Sequence, residues 1–405
     1  RYAIRWELKE DDKVIQSGDL ALSTAPLSQE LVHIPYKKPA LIPGKEYRLM
    51  LHAVLKKDEL WAKAGHEVAW EELELPWSLP CSSEEKAQGV PSYSLSEKEL
   101  VVSGDGFKYV FNRTDGQLTS MVVQDMELLE SPLRLNLWRA PLANELDNWN
   151  ASSARSTNWK EGYEYTVATE MYSAGIDRLT HQPLSFSVSE TTEGVHIHII
   201  DAELMGKGEK EKKDLYIEGV QNNGIINHYE YIINSEGTIE IRHVLKPEGK
   251  MPLWFPRIGL TLTVSDALDQ VKWYGRGPQE NYPDRKTGYP TGIYASTVQA
   301  MYEPYLMPQD YGLRTDVRWL QLTTDKGIGL QFKMNEWFNF NIYPYSTDNL
   351  TKAMYTYQLQ KQKGMTLNLD YATTGVGCTA RGVFGAYKAM PQEYRRTISI
   401  RPMMK

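Results

Sequence analysis

Apolar residues recur at every second position along this chain, run after run, and the runs are broken by glycine, proline and asparagine. Ile4, Trp6 and Leu8 alternate with Arg5 and Glu7; after a turn at Pro43-Gly44, Tyr47, Leu49 and Leu51 alternate with Arg48, Met50 and His52. A period of two sends successive side chains to opposite faces, so each run predicts a half-buried strand. Phe107, Tyr109 and Phe111 repeat the pattern, Thr114-Asp115-Gly116 turns the chain, and Leu118 and Met121 lie on the return strand. Two further runs in His228 to Val244 flank Asn234-Ser235-Glu236-Gly237, and Arg257 to Val264 alternates again. Long helical periodicity is absent. The two best short helical candidates are Thr297 to Met301 and the stretch around Asn335 to Phe338. Short strands with turns about every ten residues predict an all-β chain built of sandwiches.

The strand pattern of the first unit closes near Leu75-Pro76-Trp77, which predicts a small β domain at 1–77. Residues 78–93 mix Pro, Ser, Gly and charge without periodicity and read as a linker. No second linker is evident from 94 to 405, so the remainder is expected to be one large domain. The chain opens on a strand pattern, which suggests a piece of a longer polypeptide and leaves its compartment, cytoplasmic or periplasmic, open. Tyr (25) and Trp (11) outnumber Phe (8), a balance that suits sheet faces and also sugar stacking. A net charge of −7 without a basic stripe argues against nucleic acid. The mixed run Lys207 to Asp214 reads as a solvated loop. No apolar stretch approaches the roughly 20 residues of a membrane span. Cys81 and Cys378 are too few for a disulfide framework or a cysteine metal cluster.

A retaining glycosidase needs two carboxyl groups roughly 5–5.5 Å apart. No carboxylate pair here sits in such a context; Glu71, Glu72 and Glu74 read as a solvated face. His196 and His198 share a strand face, but no third ligand is visible nearby, so no metal site is expected. Phosphate loops, dinucleotide fingerprints and nucleophile elbows are absent. Three polar loops remain: Arg139 to Asn148, Gly275 to Arg285, and Thr373 to Gly382. Each joins backbone-fixing residues to hydrogen-bonding groups. Each fits a sugar-contacting rim or an intramolecular ion-pair corner.

These loops, in this order, resemble the C-terminal part of family 2 glycoside hydrolases, the β-galactosidases. Trp61 to Trp70 resembles the Ala-Gly-His…Ala-Trp segment closing the family's second immunoglobulin-like domain, and Arg139-Ala140-Pro141-Leu142 with Asn144 resembles its Arg-Ala-Pro-Leu-x-Asn loop. Gly277-Pro278-Gln279-Glu280-Asn281-Tyr282-Pro283-Asp284-Arg285 matches the family signature without a mismatch. Tyr302-Glu303-Pro304-Tyr305, Pro308-Gln309 and Gly312-Leu313-Arg314 follow in family order. The resemblance implies an immunoglobulin-like β-sandwich lacking its first strands, then a large β-supersandwich of galactose-mutarotase type. It places both catalytic glutamates on a (β/α)₈ barrel of the same polypeptide that this chain lacks. Magnesium, with sodium as a second candidate, belongs to that barrel, and no cofactor to this chain. The supersandwich would wall the mouth of the active site, with Asn144, Glu145, Asp147 and Arg381 as rim residues touching a β-galactoside or oligosaccharide. Aligned on Gly375-Val376-Gly377, Gly382 and Arg381 stand where the family carries an active-site Trp or Cys. The isolated chain is expected to be inactive, and homo-oligomers stay open. Two alternatives stand beside this reading. One is a free-standing mutarotase-like epimerase working through His228 or His243; the other is a carbohydrate-binding module.

Overall fold

The computed structural model describes residues 1–80, 89–146, 168, 171–172, 174–206, 223–378 and 382–404. The chain divides into two compact units, Arg1–Lys86 with Pro290–Gly292, and Ala87–Tyr289 with Ile293–Lys405.

In the first unit β1 (Tyr2–Glu10), β2 (Lys13–Leu20), β3 (Tyr47–Leu55) and β4 (Glu67–Glu74) form an antiparallel sheet in the order β2-β1-β3-β4. The period of two in β1 does what it predicts: Trp6 and Leu8 are buried against Leu49. Segment 21–46 contains no strand, and from it Ile34 and Tyr36 pack onto that core together with Leu75 and Trp77. A second sheet facing the first is not found among the described residues of this unit. Strand β3 departs from simple alternation, because Arg48 and Met50 are as buried as Tyr47 and Leu49. Arg48 is satisfied there by an ion pair with Glu46 and a 3.3 Å hydrogen bond to the Asp11 carbonyl. Glu71 and Glu74 are exposed, as a solvated face requires, and Glu72 is half-buried.

The second unit begins with five antiparallel strands in chain order: β5 (Ser92–Leu95), β6 (Glu99–Gly104), β7 (Phe107–Asn112), β8 (Leu118–Val123) and β9 (Met126–Glu127). Phe107, Tyr109 and Phe111 all point into the core, and the turn after β7 uses Gly116 at φ +74°. Next come β10 (Leu129–Asn136), β11 (Thr180–Thr191), β12 (Gly194–Leu204), β13 (Gly224–Ile233) and β14 (Ile239–Glu248). The chain continues through β15 (Arg257–Val264), β16 (Gln270–Arg276), β17 (Thr291–Thr297) and β18 (Arg314–Thr323). It ends with β19 (Gly329–Tyr343), β20 (Met365–Thr373) and β21 (Tyr394–Met403).

Strands β10 to β21 make a twelve-stranded sheet whose main path runs β10-β15-β20-β19-β21-β14-β13-β12-β11. The 15-residue β19 carries the path by changing partner along its length. Gly329–Met334 pair with β21, and Asn339–Tyr343 pair with β20. The five-stranded sheet shares its apolar core with this sheet: Phe111 meets Tyr231 edge-on at 5.2 Å, and Tyr109 donates its hydroxyl to the Gly237 carbonyl at 2.7 Å.

Neither helical candidate is a helix. Residues 298–301 form a turn after β17, and 335–338 lie inside β19. The described residues include the short α-helices Ala143–Leu146 and Thr347–Lys352, the latter capped by the Ser346 hydroxyl on Asn349 N at 3.1 Å. The charge run from Lys207 falls outside the described residues. No helix among them is long and apolar enough to cross a membrane.

Candidate functional site

The three polar loops converge in the second unit, and hydrogen bonds from side chains to backbone tie them together. Arg139 has no solvent exposure. Its guanidinium donates to the Thr374 carbonyl (2.6 Å), the Gly375 carbonyl (3.0 Å) and Glu145 Oε1 (2.7 Å). The other Glu145 oxygen accepts Leu142 N–H at 2.9 Å and so caps the short helix Ala143–Leu146. Asn144 donates to the Val376 carbonyl at 2.9 Å, and Gln309 accepts Ala143 N–H at 2.9 Å.

The signature loop supplies the third side. Asp284 accepts Val376 N–H at 2.9 Å and Gly377 N–H at 2.8 Å, one on each carboxylate oxygen. Gly375 leaves room for it, because a Cβ there would stand 2.3 Å from Asp284 Cγ. Glu280, 6% exposed, accepts from Arg285 (2.8 Å), the Tyr305 hydroxyl and Gly312 N–H (2.8 Å). Asn281 accepts from Thr315 N–H (3.1 Å) and Oγ1 (2.5 Å), and its own N–H donates to the Leu313 carbonyl at 2.8 Å. The Gly277–Pro278 peptide is cis. Gly277 lies under Tyr294 and Trp273, where a Cβ would come within 3.0 Å of both rings. Tyr282 is buried, and burial beside Glu280 holds its phenol well above the usual range. Only Pro278, Gln279 and Arg285 of the signature face solvent.

Behind this junction runs a line of buried charge and amide that the alternation pattern did not reveal. Arg257 reaches Asp310 at 3.2 Å and Asp370 at 3.4 Å, and none of the three side chains is exposed. Asn341 donates to Asp310 Oδ1 at 3.1 Å, Asn368 donates to Asn341 at 2.9 Å, and Asn136 donates to Asn368 at 3.0 Å. Burial raises the Asp370 carboxyl to about 6 despite the opposing pull of Arg257.

The polar side chains of these loops are thus engaged within the protein. Arg139, Glu145, Glu280, Asn281, Asp284 and Arg285 bind one another or nearby backbone. Glu145, expected at the rim, has both oxygens bonded within the protein and is 6% exposed. Asn144 stays half-buried at the edge. Asp147 and Arg381 lie outside the described residues.

The histidines also differ from expectation. His243 is fully buried between Tyr371 (2.7 Å) and Asn227 (3.1 Å) and stacks on Tyr229 at 4.1 Å. Burial lowers its imidazole to about 3, so it stays neutral and cannot reach a substrate. His228 is exposed. His196 and His198 acquire the third candidate ligand, Glu230, from the neighbouring strand β13. A second group, His181, Asp201 and Glu203, is internally paired: His181 bonds Glu203 at 2.8 Å and the Asp115 carbonyl at 2.7 Å. Chiefly through Glu203, its imidazole rises to about 9.

Residues 103–400 match the family described as beta galactosidase small chain, and residues 1–76 match beta-galactosidase, domain 4. The chain belongs to the β-galactosidase small-chain family, with domain 4 of such enzymes ahead of it. The β-galactosidase of Priestia megaterium (strain DSM 319 / IMG 1521) is 30% identical over 377 residues, covering 93% of this chain and 33% of that protein. That of Pseudoalteromonas haloplanktis is 27% identical over 380 residues, covering 92% and 33%. The chain thus spans about a third of the length of these relatives. Among solved structures, a putative aldose 1-epimerase from Escherichia coli K12 aligns with 75% of this chain and 98% of its own (TM-score 0.36, 8% identity). A galactose 1-epimerase from Lactobacillus acidophilus NCFM aligns with 78% and 98% (TM-score 0.36, 11% identity). Likenesses this distant carry no statement about activity.

Proposed function

We propose that this chain is the non-catalytic C-terminal region of a β-galactosidase that hydrolyses terminal β-D-galactosides with retention. Its three-loop corner braces the wall of an active site whose carboxylates, and whose magnesium or sodium, belong to a barrel outside these 405 residues. The family match supports the enzyme class. The observation that carries the division of labour is the engagement of the corner's carboxylates among the described residues. Double displacement requires one carboxylate free to attack the anomeric carbon and one carboxylic acid free to protonate the leaving oxygen. Glu145 and Asp284 each spend both oxygens on the protein. Glu280 does the same with Arg285, Tyr305 and Gly312. A corner so tied can hold a wall in one shape, which helps to position a sugar and exclude water. The purified chain should turn over no chromogenic β-galactoside above a vector control. Turnover that follows the chain through purification would overturn the proposal.

A further inference from the structure

We propose that His196, His198 and Glu230 form a divalent transition-metal site, of zinc type, on the face of the large sheet formed by β12 and β13. His198 stands opposite Glu230 in the antiparallel register, and His196 lies two residues before it on the same face. The two rings are 6.3 Å apart, and one ligand atom from each of the three side chains lies within 4.8 Å of the others. A tetrahedral zinc site sets its ligands about 3.3 Å apart. Closing the difference takes a small turn of the exposed His198 side chain.

The surrounding bonds suit this use. His196 Nε2 lies 2.9 Å from Thr191 Oγ1, while Nδ1 faces Glu230 Oε1 at 3.1 Å. Nδ1–H donates to Glu230 in the empty site; an ion would displace that proton and take the Nδ1 lone pair, with the ring's remaining proton on Nε2 facing the threonine. Glu230 is divided in the same way: Oε1 faces the histidine, and Oε2 accepts from Arg242 at 3.1 Å. Arg242 lies beside Glu193 (3.8 Å), Glu230 (3.1 Å) and Glu240 (2.9 Å) on the same patch. Two imidazoles and one carboxylate select zinc-type ions over magnesium or calcium, which prefer all-oxygen shells. Three protein ligands leave the fourth position to water. The ion would clamp β12 to β13.

The test is calorimetric titration of the full chain, stripped with a chelator, using zinc chloride as probe. Saturable binding of one zinc per chain is expected, undiminished by millimolar magnesium. His198→Ala should weaken it by at least about tenfold. His33→Ala, which removes an exposed histidine of the first unit, should leave it unchanged. Zinc should also raise the melting temperature of the wild type but not of His198→Ala. His198 is exposed, so its loss leaves the fold intact, and identical far-UV spectra would show that. Absent saturation, or equal zinc affinity in wild type and His198→Ala, would overturn the site.

Discussion

At Arg257 a guanidinium without solvent exposure faces two carboxylates that have none either. Removing one partner from such a cluster is costlier than never having built it, because the remaining charges stay desolvated. Arg257→Met should therefore destabilise the protein by about 3–5 kcal/mol, measured by denaturant unfolding at neutral pH. A loss below about 1 kcal/mol would mean that water reaches Asp310 and Asp370. The pH dependence has a definite sign. Burial raises the Asp370 carboxyl to about 6, against about 3.9 in an unfolded chain. Its contribution to stability is present below the unfolded value and is lost as pH rises through about 6. Asp370→Asn cannot ionise, so its melting temperature relative to wild type should be more favourable at pH 7.5 than at pH 4.5. The opposite slope would show that the pull of Arg257 outweighs desolvation.

The elements divide sharply into those that alternation reveals and those it misreads. Strands β1, β7, β8 and β15 follow directly from their apolar residues, and the hairpin of β13 and β14 from its turn, with Gly237 at φ +77°. Strand β20 alternates too, with Thr366, Asn368 and Asp370 between Leu367, Leu369 and Tyr371, yet both its faces are buried. Alternation identifies two faces but not what covers the polar one. Here that cover is Asn341, Arg257 and Asn136, from β19, β15 and the end of β10. The same blindness hid Glu230, the third candidate ligand, which is 34 residues from His196 in sequence and one strand away in space. The corner was legible as three loops because glycine and proline punctuate them; their mutual bonds were not, since no local signal pairs Asp284 with Val376 and Gly377. Those bonds rank the corner's mutations. Asp284→Ala strands two half-buried N–H groups and should cost about 1–3 kcal/mol. Arg285→Ala, whose side chain is 47% exposed, should cost under about 1 kcal/mol. Gly375→Ala drives a methyl into the Asp284 carboxylate and should cost about as much as the Asp284 change. Thermal melts of the three variants check this order. Arg285→Ala emerging as the worst would move the weight of the corner onto the exposed ion pair.

For the whole molecule the decisive fact is that the apolar clusters of the two units are unequal. Trp6, Leu8 and Leu49, with Ile34, Tyr36 and Trp77 around them, make up one. The largest, in the second unit, draws on described residues from Leu100 to Ile400 and joins the five-stranded sheet to the twelve-stranded one, with two small clusters besides. Hydrophobic stabilisation grows with buried apolar area, and small units bury a smaller fraction of their surface. The large unit therefore has the means to fold alone, whereas the small one is marginal. Its described residues form a single sheet, and only three apolar side chains make up its buried cluster. We propose the unit that starts at Ala87, residues 87–405, as the autonomous domain. A chain cut to those residues should unfold in one cooperative transition and keep the near-UV signal of its buried Trp273 and Tyr109. It should also keep zinc binding, because His196, His198 and Glu230 all lie within it. The 1–77 piece should show no cooperative melt. A soluble 87–405 chain without near-UV structure would mean that the large core depends on the small unit, and the boundary proposed between them would be wrong.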